Sequence, residues 1–341
     1  MQKKILALHD LSGFGRSSLV PIISVLSAFG HQCVPLPTAV FSTHMAIPGW
    51  VKSDLTREMH PTIDQYDELG LRFEAVYAGF LGSASQIDSV AEAARRLKAE
   101  GGLTLIDPVM GDNGEVYSSY TPEMCTRMRE LCAIADLITP NTTEAAILLG
   151  RDPVSAPQSE CEAVEWMQAL YEQYGASVVL TGLDYEKGKV GSGCFEGGES
   201  TVSLHERIDC YYPGTGDVFA AVMLGALLGG AKLRDACVKA GEFVRDTIAY
   251  TAEQTGGVLT VTVDADFAVL TGKLSGIDTL KAQGVEKIVF VTKDATSAFR
   301  LADLLEKGAA EETYKLTHDG KTAAFTAGGR QTDISDILVK A

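Results

Sequence analysis

Short apolar segments alternate with amphipathic segments through residues 1 to about 250. Apolar runs at 4–8, 74–80, 103–107 and 177–182 have the length of buried strands, and helix-like segments stand between several of them. A repeated strand–helix order favours a mainly parallel sheet with helices on both faces. Ligands of such sheets bind outside the carboxyl ends of the strands. The polar segments that follow these strands are therefore the expected location of a functional site.

The composition excludes several classes of protein. The 341 residues are 46% hydrophobic, which is enough for a large core and argues against disorder. The net charge of −16 argues against binding to nucleic acid or to an anionic membrane. Seven cysteines without a CxxC pair predict reduced thiols and neither disulfides nor a zinc site. The absence of a signal-like or membrane-spanning segment predicts a soluble, cytoplasmic protein.

The segment DCYYPGTGDVFAAVMLGALLGG, residues 209–230, carries the strongest chemical signal. Gly214, Thr215 and Gly216 open an almost entirely apolar helix, so small residues expose N–H groups where the helix dipole is positive. Such a helix end binds negative charge. Asp217 lies in the first turn and has two interpretations. It is either an ordinary helix cap or a base that deprotonates a substrate hydroxyl.

Three separated motifs resemble those of one enzyme family. The motifs PGTGDVFAA at 213–221, DPVMGD at 107–112 and ITPNTTEA at 138–145 are similar, in the right order, to those of pyridoxal kinases in the ribokinase-like superfamily. The resemblance covers residues 1–274. It implies ATP-dependent phosphorylation of the 5′-hydroxymethyl group of a small pyridine vitamin of the B6 group. It also implies a ribokinase-like α/β fold and a homodimer, and the hairpin pattern near 189–206 predicts a small antiparallel sheet edge.

By this resemblance, Asp217 removes the proton from the 5′-hydroxyl, and Gly214, Thr215 and Gly216 form the anion hole for the γ-phosphate. This agrees with the charge argument made from the residues alone. The ending of the motif GTGD in Asp favours pyridoxal kinases over hydroxymethylpyrimidine kinases, which commonly have Cys there. The chain has no P-loop motif, and the family uses none.

Acidic residues follow neighbouring strands at the expected ligand edge. Asp107, Asp112 and Glu144 would form a cluster of three carboxylates, which suits a Mg²⁺ ion that bridges to ATP phosphates. The alternatives are that the aspartates are solvated loop residues and that Asn141 and Glu144 form a helix capping box. The resemblance places Glu144 near the metal. It places Asp107 and Thr139 near a monovalent cation and leaves open whether K⁺ is required.

The resemblance assigns five residues to ATP, namely Asp112, Tyr117, Asn141, Glu144 and Thr181. Tyr117 matches a residue that covers the nucleotide in relatives, and the neighbouring Gly111 and Gly114 suggest a mobile lid. A kinase needs a lid because bulk water would otherwise accept the phosphoryl group. Thr181 ends a strand, where a threonine is usually only structural.

The vitamin pocket is expected from the segment FSTHMAIPGW, residues 41–50. Its first residues, Phe41, Ser42, Thr43 and His44, resemble an F-S-N-H pattern in which the Phe stacks on the pyridine ring. Taken alone, a Phe is usually core and a His is usually a satisfied loop residue.

The first loop, HDLSGFG, departs from the pyridoxal kinase pattern. Relatives typically have a serine where this chain has His9 and Asp10, and the loop partly resembles that of hydroxymethylpyrimidine kinases. Asp10 is a candidate acceptor for a ring hydroxyl or a protonated ring nitrogen, and Ser12 is a second candidate ligand of the substrate. The mixture leaves the substrate within this branch open.

The family pattern ends near residue 274, so residues 275–341 are predicted as a C-terminal α/β appendage. A strand is expected within 285–294, a helix within 296–309, and short strands and turns afterwards. No motif assigns chemistry to this segment, which could be a subdomain, a dimer element or a regulatory element.

Three functions are compatible with these observations. The first is a pyridoxal, pyridoxine or pyridoxamine kinase that uses MgATP. The second is a hydroxymethylpyrimidine kinase or a related small-molecule kinase on the same fold. The third is a protein that binds a nucleotide or a vitamin without catalysis. Asp217 argues against the third, since binding alone does not require a carboxylate that faces a phosphate.

Overall fold

The computed structural model describes residues 2–45, 47, 49–208, 210, 212–254, 258–263, 287–292, 312–318, 321–327 and 337–340. The chain divides into two compact units, Met1–Ile248 and Ala249–Ala341. The domain boundary predicted at residue 274 falls outside the described residues, so it stays a prediction.

The first unit contains the strands and helices that surround the predicted motifs. Its strands are β1 (Lys4–Leu8), β2 (Leu11–Phe14), β3 (Gln32–Pro35), β4 (Ala39–Thr43), β5 (Lys52–Asp54), β6 (Phe73–Ala78), β7 (Lys98–Ile106), β8 (Gly111–Asp112), β9 (Glu115–Val116), β10 (Leu137–Ile138), β11 (Ser177–Leu183), β12 (Lys189–Glu196) and β13 (Glu199–Glu206). The helices are α1 (Leu19–Ala28), α2 (Thr56–Glu68), α3 (Ala84–Leu97), α4 (Pro122–Cys132), α5 (Thr142–Leu148), α6 (Glu160–Tyr174), α7 (Thr215–Leu228) and α8 (Leu233–Gln254), the last of which continues past Ile248.

Eight strands form the central sheet in the order β13-β12-β11-β10-β7-β6-β1-β3. The pairs from β3 to β11 are parallel, and β12 and β13 add an antiparallel edge. Along β1, Leu6 and Leu8 belong to one apolar core, while Ile5 and Ala7 belong to a second core on the other face. Both faces are therefore covered, and the predicted fold class is confirmed.

Helix α7 is buried as its apolar sequence predicts. Its residues from Phe219 to Ala226 lie in the core that it shares with α1. Gly225 of α7 allows this helix to approach the end of α1 closely, because a Cβ at 225 would lie 2.7 Å from the ring of Phe29, just after α1. This packing holds α7 against one face of the sheet, and its first-turn residue Asp217 lies near His9, which follows β1.

Helix α2 was not predicted. It contains Pro61 in its interior and buries only Met59 and Ile63, so its apolar stripe is too narrow to stand out in the sequence. Helix α8 was not predicted either, although its buried residues Leu233, Ala236, Cys237 and Ala240 recur at helical spacing.

A small sheet of order β2-β4-β5 stands beside the central sheet. Its parallel pairing sets Ser12 opposite Phe41 and Phe14 opposite Thr43. The first loop and the segment predicted to bind the vitamin are therefore neighbours. Because the two segments are far apart in the chain, only the tertiary fold brings them together.

The second unit has two small sheets. Strands β14 (Val258–Val263), β15 (Lys287–Thr292) and β18 (Ile337–Lys340) pair in parallel, and β16 (Glu312–His318) pairs antiparallel with β17 (Lys321–Ala327). Strand β15 agrees with the strand predicted within 285–294. The helix predicted at 296–309 lies outside the described residues. Within the described part of the chain, every helix is too short or too polar to cross a bilayer.

Candidate active site

Helix α7 begins at a glycine. Gly214 has a φ of +83° and makes no side-chain capping hydrogen bond. A Cβ at this position would lie 2.5 Å from the carbonyl oxygen of Arg16, so the turn requires glycine. The first N–H groups of a helix have no partner within the helix, and its dipole makes this end positive. This helix end therefore suits an anion such as a phosphate.

Space remains open beside this helix end. Gly216 is exposed, and a Cβ built there would meet no described atom within 4 Å. The neighbouring Thr215 is half-buried. The start of α7 is therefore open on the side of Gly216, whereas Gly214 packs against the turn at Arg16.

Asp217 stands in the first turn of α7 with 16% of its side chain exposed. Its Oδ2 accepts a hydrogen bond from the Ser18 N–H at 2.7 Å, and its Oδ1 lies 3.9 Å from His9 Nδ1. Burial raises the pKa of Asp217 to about 7, with the charge of Asp10 adding to the rise and the Ser18 N–H opposing it. A carboxyl with this pKa exchanges a proton readily near neutral pH, as a general base must.

The turn that faces Asp217 has an unusual backbone. Gly15, Arg16 and Ser18 have φ angles of +123°, +53° and +57°. Ser18 combines its φ with a ψ of −130°, a conformation that costs a side-chain-bearing residue about 1–3 kcal/mol. In this conformation the Ser18 N–H reaches Asp217, and its hydroxyl donates to Asp10. Sequence reasoning missed Ser18, because no motif marks a strained backbone.

Asp10 is 4% exposed and is held by two hydroxyl groups. Ser12 donates to its Oδ2 at 2.8 Å and Ser18 donates to its Oδ1 at 2.6 Å. Burial raises the pKa of Asp10, and the two hydroxyl groups oppose the rise. Each carboxylate oxygen has a second lone pair, so the contacts of Asp10 and Ser12 with a substrate stay predictions.

Two further carboxyl groups lie close together at this edge. Asp107 follows β7 and Glu144 lies in the first turn of α5, and both are buried. Burial raises the pKa of Asp107 to about 8; the charge of Asp217 adds to the rise and the Thr139 hydroxyl opposes it. Burial also raises the pKa of Glu144 well above its usual value, and the charge of Asp107 adds to this. The raised pKa values favour the protonated forms of both groups, and a cation bound beside them would favour their ionised forms.

Among the described residues, no three His, Cys, Asp or Glu side chains are arranged to hold a metal ion. The carboxylate of Asp112 accepts from the N–H and the side-chain amide of Asn113, and burial raises its pKa. The predicted cluster of three carboxylates is thus not a closed metal site. Mg²⁺ is commonly bound by one or two carboxylates together with phosphates and water, and the buried Asp107 and Glu144 fit that chemistry.

Asn141 and Glu144 form the capping box of α5. Asn141 Oδ1 accepts from the Glu144 N–H and Glu144 Oε2 accepts from the Asn141 N–H, both at 2.9 Å. The Met110 N–H donates to Glu144 Oε1 at 3.1 Å. The structural alternative from the sequence is therefore present. It leaves open whether the same side chains also contact ATP.

The hairpin of β8 and β9 is attached to α5. Asn141 Nδ2 donates to the Gly111 carbonyl, and the Gly114 N–H donates to Thr143 Oγ1, both at 2.8 Å. Tyr117 follows β9, is half-buried, and donates its N–H to the carbonyl of Met110. The predicted nucleotide residues Asp112, Tyr117 and Asn141 are thus brought together around one hairpin.

Thr181 lies beside the start of α5. It forms an isolated parallel bridge with Asn141, and its N–H donates to the Pro140 carbonyl at 3.0 Å. The register of β11 shifts just after it, where Gly182 has a φ of +73°. These contacts place Thr181 next to the predicted nucleotide residue Asn141.

Aromatic side chains surround Phe41. Its ring makes edge contacts with Trp50 at 5.4 Å and with Phe80 at 5.9 Å between centroids, and Lys52 Nζ lies 5.8 Å from its centroid. Phe41 is only 2% exposed, whereas Trp50 is 42% exposed. Stacking of Phe41 on a pyridine ring therefore requires a neighbour to move. Sequence reasoning missed Phe80 and Lys52, which lie outside the segment at 41–50.

The other residues of the F-S-T-H pattern lie on β4 and just after it. Ser42 Oγ accepts from the Val51 N–H at 2.9 Å, and the His44 N–H donates to the Phe14 carbonyl at 2.7 Å. Burial lowers the pKa of His44, and the charge of Asp10 opposes this. Thr43 Oγ1 is buried and has no hydrogen-bond partner among the described residues.

Comparison with known proteins identifies relatives of this chain. The family profile of phosphomethylpyrimidine kinases matches residues 62–262. The pyridoxal kinase of Pseudomonas aeruginosa is 29% identical over 258 residues, which are 72% of this chain and 87% of the relative.

Solved structures show the same relationship. A putative phosphomethylpyrimidine kinase from Bacteroides thetaiotaomicron, crystallised with pyridoxal, is 38% identical with a TM-score of 0.70; the match covers 74% of this chain and 89% of that one. The pyridoxal kinase from Lactobacillus plantarum is 28% identical with a TM-score of 0.68, and the match covers 75% of this chain and 91% of that one.

Proposed function

This chain belongs to the phosphomethylpyrimidine kinase family, and on that premise we propose that it transfers the γ-phosphate of ATP to the 5′-hydroxymethyl group of pyridoxal, pyridoxine or pyridoxamine. The observation that carries this proposal is the position of Asp217. A carboxyl with a pKa raised to about 7 stands at an open, positively polarised helix end. The pyridine substrate is supported by the names of the relatives and by the pyridoxal in the Bacteroides structure.

In the proposed reaction, Asp217 accepts the proton of the 5′-hydroxyl as its oxygen attacks the γ-phosphorus. The bond from that phosphorus to the bridging oxygen of ATP breaks, and ADP leaves. The N–H groups at Gly214, Thr215 and Gly216 stabilise the negative charge that develops on the transferred group. The Ser18 N–H, at 2.7 Å from Oδ2, keeps the carboxylate of Asp217 in place.

We assign the cation to the edge that holds Asp107 and Glu144. Two buried carboxyl groups with raised pKa values favour a divalent cation, and Asp112 and Thr139 complete the proposed metal residues. When bound, Mg²⁺ neutralises charge on the phosphates of ATP. A monovalent cation such as K⁺ near Asp107 and Thr139 stays an open part of this proposal.

The remaining assignments follow the resemblance residue by residue. The proposed nucleotide ligands are Asp112, Tyr117, Asn141, Glu144 and Thr181. The proposed vitamin ligands are Asp10, Ser12, Phe41, Ser42, Thr43 and His44. The contacts described above join the nucleotide residues around one hairpin and the vitamin residues around β2 and β4, which supports two subsites. We also propose a kinase domain of residues 1–274 with an appendage of residues 275–341, a homodimer, and a cytoplasmic location, which the seven free cysteines fit.

An ATP-consumption assay across pyridoxal, pyridoxine, pyridoxamine, hydroxymethylpyrimidine and ribose tests the proposal. We expect turnover with at least one of the three B6 compounds, and the product should carry phosphate on the 5′ oxygen by ³¹P NMR. Faster turnover with hydroxymethylpyrimidine than with every B6 compound would replace the proposed substrate. No turnover with any of the five would overturn the kinase proposal.

A further inference from the structure

His9 is a buried polar residue that the proposed reaction does not use. It follows β1 directly and has a relative exposure of 0%. Neither ring nitrogen has a hydrogen-bond partner among the described residues. Buried polar groups nearly always have a partner, because an unpaired one costs about 1–3 kcal/mol. A polar ring retained here without a partner indicates that its partner is supplied in a working state of the site.

The surrounding fold makes room for this ring. A Cβ at Gly79, just after β6, would lie 2.1 Å from His9 Cε1, so the absence of a side chain at 79 creates the space. The ring of Tyr77 meets the His9 ring edge-on, with centroids 4.4 Å apart. These two contacts restrict the imidazole, so its direction is set by packing.

The imidazole is directed at the proposed base. His9 Nδ1 lies 3.9 Å from Asp217 Oδ1, which is longer than a hydrogen bond. The other oxygen, Oδ2, already accepts from the Ser18 N–H. Oδ1 is therefore the oxygen whose direction a second donor would fix, and a movement of about 1 Å brings Nδ1 into hydrogen-bond range.

We propose that His9 is a positioning residue. When the substrate is bound, its Nδ1–H donates to Oδ1 of Asp217, and this hydrogen bond orients the carboxylate to accept the substrate's proton. Burial lowers the pKa of His9 to about 3, so the ring is neutral and carries one N–H. A neutral donor stabilises the ionised carboxylate without forming a charged pair. This inference rests on the proposed kinase function and adds to it a residue outside the family motifs quoted above.

Other groups also act on Asp217 and must be kept constant. Asp10, in the turn between β1 and β2, raises the pKa of Asp217 through its charge. Asp107, after β7, and Tyr77, on β6, both interact electrostatically with Asp217. The Ser18 N–H opposes the rise. A test of His9 therefore changes His9 alone.

Three substitutions distinguish the contribution of each ring nitrogen from the contribution of the ring's volume. His9→Leu removes both nitrogens, His9→Asn keeps an amide nitrogen at the position of Nδ1, and His9→Gln places one nearer to Nε2. We expect kcat of His9→Leu to fall about 10- to 100-fold with the KM for ATP unchanged, as for other residues that orient a reactive group. We expect His9→Asn to recover most of the loss and His9→Gln less.

The pH profile is the measurement that a merely structural role would not change. Loss of the Nδ1–H donor should move the acid limb of kcat/KM to higher pH in His9→Leu, and His9→Asn should restore it. An unchanged limb, or a His9→Gln enzyme that performs better than His9→Asn, would overturn the proposal. If His9→Leu does not fold, the comparison of the Asn and Gln variants still decides.

A second measurement does not depend on activity. The Asp217 carboxyl carbon can be followed by ¹³C NMR in aspartate-labelled protein with a bound B6 compound, and Asp217→Asn assigns its resonance. A carboxyl pKa that is higher in His9→Leu than in the wild type supports the contact, and equal values contradict it. A wild type that binds a B6 compound without turnover would reject the kinase function alone, because the titration would still report on His9.

Discussion

Helices α5 and α7 both begin where parallel strands end, yet their first turns are built differently. The start of α5 is closed by its own side chains, since Asn141 and Glu144 each accept a backbone N–H of the other. The start of α7 has a glycine without a capping side chain, and open space lies beside Gly216. At a capped helix end, side chains of the helix accept hydrogen bonds from its first N–H groups, whereas an uncapped end leaves these groups for a ligand. The difference shows which helix end is suited to the transferred phosphate.

The largest expected effect is at the acidic residue of the open end. Asp217→Asn keeps the shape but cannot accept the proton, so we expect kcat to fall about 10²- to 10⁴-fold. ATP binding, measured by calorimetry, should persist. Glu123→Gln is the matched control, because Glu123 is an exposed first-turn carboxylate of α4. Equal kcat in the wild type and Asp217→Asn would remove the chemical distinction between α5 and α7.

The next effect concerns the glycine that keeps the end of α7 open. In Gly214→Ala the new methyl group would collide with the Arg16 carbonyl and displace the turn, so we expect kcat to fall about 10²-fold. Gly230→Ala, beyond the other end of the same helix, also has a positive φ but would meet no atom within 4 Å. Steady-state kinetics and thermal unfolding are measured for both variants. The comparison separates the effect of the collision at position 214 from the effect of backbone strain, which both positions share. Similar kcat losses in both would argue against a special role for the open end.

A smaller effect should appear in the pH dependence. Because burial raises the pKa of Asp217 to about 7, the ionised base is lost as the pH falls below that value. We expect kcat/KM to decrease about tenfold per pH unit below 7 and to level off above it. Measurement of kcat/KM from about pH 5 to about pH 9, on both sides of the expected pKa, checks this. An acid limb centred near 4, the ordinary aspartate value, would show that burial does not tune this residue.

The smallest effect is expected at the closed end. Asn141→Ala removes the cap of α5 and the hydrogen bond to the Gly111 carbonyl, so the free energy of unfolding should fall by about 1 kcal/mol. Asn141→Asp keeps the capping oxygen and serves as the control. Chemical denaturation measures both. An unchanged stability in Asn141→Ala would mean that the capping box contributes little to α5.

The sequence predicted the features that repeat along the chain. Strands such as β1 and β6, the antiparallel edge of β12 and β13, and the cap of α5 follow from apolar runs and capping residues. It missed α2, because an interior proline and a narrow apolar stripe resemble a loop. Local patterns therefore predicted local structure where the apolar pattern was strong.

The candidate site was predicted only where motifs mark it. Asp217 stands in a motif, but its contact with Ser18 joins residues 199 positions apart. The unusual backbone of Ser18 and the space that Gly79 leaves for His9 depend on tertiary packing. Such contacts join residues that are far apart in the chain and produce no recognisable sequence pattern. The residues that orient the base could therefore be identified only in the folded chain.

The strained turn before α1 has a consequence for engineering. Substituting glycine at Arg16 or Ser18 would relieve an unfavourable torsion, and a search for heat-resistant variants would find such changes attractive. The same change would increase the mobility of the turn, so the Ser18 N–H would hold the carboxylate of Asp217 less firmly. Thermal robustness and turnover are therefore opposed at these two positions, and gains in melting temperature are better sought on surfaces distant from this turn.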